Sequence, residues 1–246
     1  MSDARSLRAR LTPAFAALAL GATLMAPAAQ AAPGLSHGPM KRNAVGTSTN
    51  WSGYDSTSGP FTSVSASWTQ PSVNCAATGR KSAYSSFWVG LDGDGSNSVE
   101  QTGTDADCIR GIPTYYGWYE MYPAAPVNFS NTVKPGDVFN ASVTYKSGSF
   151  TLVLTDQTRG WTQTVTKSLN SATRFSAEVI AEAPSSGKVL PLADFGTVTF
   201  TSALANGAAL GVQNPNEIIM ASGSTTKATP SSLSGGENFS VTWNHS

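Results

Sequence analysis

The stretch Phe139-Asn140-Ala141-Ser142-Val143-Thr144-Tyr145, the break Lys146-Ser147-Gly148-Ser149, and then Phe150-Thr151-Leu152-Val153-Leu154 decide the fold. Phe139, Ala141, Val143 and Tyr145 alternate with polar residues, as do Phe150, Leu152 and Leu154, and a period of two puts each set on one face of a strand. The Gly-containing break between them reads as a hairpin turn. The same texture runs outward from Asn50 to Trp243, in short runs of Thr, Val and aromatics broken by Gly, Pro, Asn and Ser, with no amphipathic helix. Residues 161–165, 198–200 and 239–243 add further strands. Many short antiparallel strands predict an all-β, two-sheet antiparallel sandwich, because a single open sheet could not cover its apolar face.

Composition narrows the partners. The chain has 246 residues, 12% of them charged, with 15 Lys+Arg against 15 Asp+Glu. One large domain is the expectation at this length. No basic run exceeds Lys41-Arg42 or Arg80-Lys81, so the footprint of a nucleic-acid binder is missing. Residues 1–31 carry Arg5, Arg8 and Arg10, then an apolar stretch from Ala14 to Ala26, then Ala29-Gln30-Ala31, the layout of a secretory signal peptide cleaved after Ala31. The apolar run is too short to span a bilayer and no second one follows, so a secreted, extracellular protein without membrane attachment is expected, as a monomer. Residues 32–47 lack periodicity and are expected to be a short flexible leader or pro-segment, leaving 48–246 as the domain. Cys75 and Cys108 are the whole thiol inventory, and an even count in an exported protein favours a disulfide. His37 and His245 sit at the two ends of the sequence, with no Cys/His cluster at ligand spacing, so neither a metal site nor a His-activated nucleophile is expected.

The faces of three strands carry the functional signal. In residues 86–92, Phe87, Val89 and Leu91 form an apolar face while Trp88 and Asp92 fall on the other. In residues 115–122, Tyr116, Trp118, Glu120 and Tyr122 share a face. In residues 174–182, Phe175, Ala177, Val179 and Ala181 form an apolar face opposite Glu178 and Glu182, which stand about 13 Å apart at roughly 3.3 Å per residue. Gln101 and Asp105 also share a face, although Glu100, Thr102 and Thr104 on the other side are polar enough to leave strand geometry open. A wet sheet face accounts for carboxylates alone. It accounts less well for so much aromatic area beside them, which suits a groove for an extended ligand. Carbohydrate binding suits such a groove, as does glycoside hydrolysis by two of Glu120, Glu178 and Glu182.

Six segments separate these readings. Asn50-Trp51-Ser52-Gly53-Tyr54, Phe87-Trp88-Val89-Gly90-Leu91-Asp92-Gly93, Glu100-Gln101-Thr102-Gly103-Thr104-Asp105, Trp118-Tyr119-Glu120-Met121-Tyr122-Pro123, Ala177-Glu178-Val179-Ile180-Ala181-Glu182 and Ala193-Asp194-Phe195-Gly196-Thr197-Val198 resemble, in order, the motifs of the glutamic peptidases, or eqolisins. The resemblance implies a concanavalin A-like sandwich with a concave active face, and an acid endopeptidase that acts on polypeptides without a cofactor. It implies that Gln101 and Glu182 are the catalytic pair, and that Trp51, Trp88, Asp92, Asp105, Glu120, Tyr122 and Glu178 bind substrate or support the pair. Two departures stand out. The stretch before the domain is only about sixteen residues where the family carries a long basic pro-segment, which questions zymogen control. Pro184 also stands where an aromatic often follows the catalytic glutamate.

Overall fold

The computed structural model describes Met1 and residues 34–246, so the signal reading of residues 1–31 lies almost wholly outside the described residues. Thirteen strands of five residues or more are present among them. In chain order they are β1 (Trp51–Ser56), β2 (Ser63–Thr69), β3 (Ser86–Leu91), β4 (Val99–Ile109), β5 (Ile112–Tyr122), β6 (Val138–Lys146), β7 (Ser149–Asp156), β8 (Trp161–Lys167), β9 (Ala177–Glu182), β10 (Thr197–Ala205), β11 (Asn216–Ser222), β12 (Thr225–Pro230) and β13 (Phe239–Trp243). The hairpin predicted at 146–149 is the β6–β7 turn, where Ser147 and Gly148 both take positive φ (51° and 85°).

One sheet runs β11–β1–β9–β3–β4–β5 and the other β11–β12–β13–β10–β2–β6–β7–β8, with every neighbouring pair antiparallel. Strand β11 belongs to both, through Asn216–Ile218 on β1 and Met220–Ser222 on β12. Alternation places Val64, Ala66 and Trp68 of β2, Phe139, Ala141 and Val143 of β6, and Phe150, Leu152 and Leu154 of β7 against Phe87, Val89 and Leu91 of β3 and Ala177, Val179 and Ala181 of β9. This core drives the packing of the two layers, since burying apolar area is the dominant favourable contribution to folding, while Trp51, Trp88, Val99, Tyr116, Trp118, Ile180 and Ile218 form a second buried cluster on the opposite face of the first sheet. Cys75 and Cys108 are bonded, as expected, and pin the loop before β3 to the end of β4.

Two expectations change. Phe175 is not part of the apolar row of β9: the strand begins at Ala177, Arg174 has φ 56°, and Phe175 is 45% exposed. The leader is also laid down on the protein, well before Asn50. Leu35 and His37 are buried, Ser36 bridges Ser185, and residues 42–44 and 47–48 form short paired strands, the second lying parallel to β11.

Candidate active site

Because β9, β3, β4 and β5 are in register, their outward residues line up in cross-strand rows. One row reads Glu182–Ser86–Asp105–Tyr116, the next Ile180–Trp88–Gly103–Trp118, and the third Glu178–Gly90–Gln101–Glu120. Trp51 and Asp55 of β1 extend the first and third rows. All of the residues expected in the groove except Asp92 therefore share the sheet face turned away from the core. Gly103 makes the middle row possible: a Cβ there would lie 2.2 Å from the Phe87 carbonyl oxygen and 2.5 Å from the Trp88 Cβ.

Glu182 is fully buried; its Oε2 accepts from the Trp88 indole N–H at 2.9 Å and its Oε1 lies 3.5 Å from Asn50 Nδ2. Burial pushes its carboxyl well above the ordinary carboxylate range, with the charges of Glu120 and Asp105 adding to the rise and His37 and the Trp88 bond opposing it. Gln101 stands two strands away and two rows along. Its Nε2 donates to the His37 carbonyl and lies 3.4 Å from Glu120 Oε2. The two side chains converge on one short piece of backbone, since Asn50, which touches Glu182, also donates to the Pro39 carbonyl at 3.2 Å.

The leader is what they converge on. The Trp51 indole, edge-on to Trp88, donates to the Gly38 carbonyl at 3.1 Å. The His37 amide donates to Glu120 Oε2 at 2.8 Å. The His37 ring lies flat on Trp118, centroids 3.7 Å apart and planes within 2°, with Nδ1 3.1 Å from Glu120 and Nε2 3.4 Å from Asp105. Burial alone would lower the imidazole, but the charges and hydrogen bonds of Asp105 and Glu120 overcome it and hold it well above its ordinary value. Asp105 is itself fixed by the Trp118 indole at 2.6 Å and lies 2.8 Å from the Tyr116 hydroxyl, which it shares with Asp107 at the same distance. Tyr122 packs beside Gly38.

Two expected residues do other work. Asp92 turns its carboxylate away from the groove and accepts from the backbone N–H groups of Thr173, Arg174 and Phe175 and from the Thr173 hydroxyl, so it fixes the turn that delivers β9. That anchoring also explains why Phe175 leaves the strand pattern. Glu178 sits among Asp55, Asp92 and Asp94 at the far end of the groove, its carboxyl raised well above the ordinary range by burial and those neighbours. Asp55 beside it is pushed up to about 8, first by burial and then by Asp94. Asp94 pairs with Arg42 at 2.6 Å.

Three residues have roles that the sequence does not disclose. His37, terminal and unclustered in the sequence, stands at the centre of the site between Asp105 and Glu120. Asn50 reads only as part of a motif, and Trp118 only as a face-mate of Glu120. Nothing local marks His37, whose partners lie 68 and 83 residues away.

The outer face of this sheet is thus a groove in which an extended segment of the chain itself is held, with Gln101 on its backbone and Glu182 alongside. The chain belongs to the Peptidase A4 family, which matches residues 49–243. It is 34% identical over 182 residues to Aspergillopepsin-2 of Aspergillus niger, a match covering 63% of this chain and 64% of that protein. The chain thus spans a little under two thirds of that relative's length. A crystal structure of scytalido-glutamic peptidase with a transition state analog inhibitor superposes with a TM-score of 0.70 at 27% identity, over 80% of this chain and 98% of the other. An eqolisin-family peptidase in complex with the tripeptide Ala-Ile-His superposes with a TM-score of 0.66 at 28% identity, over the same shares of the two chains.

Proposed function

We propose that this protein is an exported endopeptidase working in acid, in which Glu182 and Gln101 direct one water onto the scissile carbonyl of a polypeptide. The observation that carries the reading is the His37 carbonyl, a peptide carbonyl held by the Gln101 amide within the groove. In hydrolysis Glu182 acts in its ionised form, which the Trp88 N–H favours against burial: it takes a proton from the water as it attacks, Gln101 donates to the oxyanion that develops, and Glu182 returns the proton to the leaving amine. Glutamine suits its part because it stays neutral at every pH and offers both a donor and an acceptor. Trp88 and Asn50 hold the Glu182 carboxyl in place, and Trp51, which here donates to the Gly38 carbonyl, offers a donor to a substrate carbonyl. The pair alone supplies the proton transfer and the oxyanion donor, so the proposal contains neither a metal nor a covalent intermediate.

The relative crystallised with the tripeptide Ala-Ile-His supports polypeptide as the ligand of this fold. Secretion rests on the layout of residues 1–31. The test is digestion of a denatured protein at acid pH by the wild type and by Glu182→Gln. Hydrolysis lost in a folded Glu182→Gln protein is expected; hydrolysis retained there, or binding of glycans without peptide hydrolysis by the wild type, would overturn the proposal.

A further inference from the structure

We propose that three lysines drawn from remote parts of the chain, Lys81, Lys188 and Lys227, form a binding site for a tetrahedral oxyanion, a phosphate or sulfate group, in a cavity outside the groove. The inference goes beyond the peptidase reading and does not depend on it.

The cavity measures about 610 Å³ and is lined by Lys81 and Ser82 of the loop before β3, by Lys188 and the residues that follow it, by Lys227 of β12, and by Ser246. Each lysine stands on backbone that hydrogen bonds hold in place. Ala83, next to Ser82, exchanges bonds of 3.0 and 2.8 Å with Cys108, which is itself joined to Cys75. Lys188 pairs with Ser186 in the hairpin that follows Glu182, and the Leu190 amide closes that hairpin on the Pro184 carbonyl at 2.9 Å. The Lys227 carbonyl accepts from the amides of Asn244 at 2.8 Å and His245 at 3.1 Å, which ties β12 to the segment after β13.

Lys227 carries the argument. It is only 7% exposed, yet no hydrogen bond or ion pair reaches its ammonium among the described residues. A buried lysine is normally paired, because an ammonium taken out of water without a partner is costly. Burial holds its amine below the ordinary lysine value, with no neighbouring charge to oppose the shift. Lys81 and Lys188 bring two further cations to the same lining, which contains no Asp or Glu, and Ser246 makes no ion pair with any of the three. Like charges gathered around one cavity repel each other and concentrate a field that favours an anion. Ser82 adds a neutral donor: its oxygen accepts from the Arg110 amide at 3.1 Å, leaving the O–H hydrogen to donate.

Three separate ammoniums and a hydroxyl match the several oxygens of a tetrahedral oxyanion better than the two of a carboxylate, and lysine binds phosphate as a point charge. In the acid range a phosphate or sulfate group also keeps a charge that a carboxylate is losing. Bound there, the anion would join the loop before β3, the hairpin next to Glu182 and β12 of the second sheet through one centre.

The experiment uses the folded protein carrying Glu182→Gln, so that binding is read without hydrolysis. Inorganic phosphate and sodium sulfate are titrated calorimetrically at acid pH, with chloride holding the ionic strength constant, and thermal melts are followed in parallel. A single saturable site is expected, for which the two ions compete, with a Tm that rises with the logarithm of ion concentration above the Kd. Lys227→Met should weaken binding by roughly tenfold or more, the scale of losing a charge-assisted hydrogen bond. Lys81→Met combined with Lys188→Met, at exposed positions where the fold tolerates change, should do the same. A peptide carrying one phosphoserine, beside its unphosphorylated form, tells the sources apart: binding tighter than inorganic phosphate assigns the site to groups carried on polypeptide, and equal or weaker binding assigns it to the free ion. Absence of binding by both ions, or undiminished binding in either lysine variant, would overturn the inference.

Discussion

Glu100 lies fully buried in β4 beside Asp92, and burial, reinforced by that charge, pushes its carboxyl from 4.5 up to about 9. A raised value means that folding favours the protonated acid. The stability this contributes is complete below about pH 4.5, where the unfolded chain is protonated too, and drains away as pH rises toward 9. At pH 7 the folded protein keeps a proton that the unfolded carboxyl has released across 2.5 pH units, which at about 1.4 kcal/mol per unit costs roughly 3 kcal/mol. Glu100→Gln, neutral at all pH, removes that cost without changing the shape of the side chain. The assay is urea denaturation followed by tryptophan fluorescence at pH 4 and pH 7, with both proteins carrying Glu182→Gln so that neither digests itself. The gain from Glu100→Gln should be about 3 kcal/mol larger at pH 7 than at pH 4, whatever constant offset the amide introduces. Parallel loss of stability by the two proteins between those pH values would refute the argument.

Gln101→Ala should lower peptide hydrolysis by roughly 10²- to 10³-fold, and adding it to Glu182→Gln should cost little more than Glu182→Gln alone, in an acid-pH rate assay on folded proteins. Fully additive losses would contradict a shared step. Gly103→Ala should unfold the protein or abolish turnover, because the new methyl meets the Phe87 carbonyl oxygen and the Cβ and Cα of Trp88, whose indole holds Glu182; a thermal melt and the same rate assay decide it, and a normal result in both would refute the row packing. Cys75→Ser with Cys108→Ser should lower stability by roughly 3 to 4 kcal/mol in chemical denaturation, the effect of freeing a loop with a sequence separation of 33.

The alternation that predicts a sandwich is legible wherever one face is apolar and the other polar, as in β6, β7 and β3. It fails where both faces are buried or where hydrogen bonds replace apolar contacts. Glu100, Thr102 and Thr104 look too polar for a strand, yet they face inward: the Thr104 hydroxyl accepts from the Trp68 indole at 3.0 Å and the Thr102 hydroxyl donates to the Trp118 carbonyl at 2.7 Å. Phe175 matches the period by spacing alone, because the Asp92 anchor that overrides it lies 83 residues away. The groove residues are recoverable from shared faces and from motif order. Their division of labour is not, since the separation of Asp92 from the groove depends on which backbone amides it meets in space. His37 is invisible for the same reason: an unpatterned leader gains its place from the groove it enters, and its own sequence carries no period to read.

The strand β11 has a mechanical consequence. A strand that pairs with β1 along one half and with β12 along the other welds the two layers at that side, as the spine of a book holds its covers. At the opposite side the layers end separately, in residues 127–128 beyond β5 and in β8. Sliding or opening of one layer against the other therefore pivots on β11 and is widest near β5, which carries Trp118 and Glu120. Amide exchange should be slowest along the spine, and the wall formed by Trp118 and Glu120 should be the part of the groove that gives way when a side chain of different shape enters.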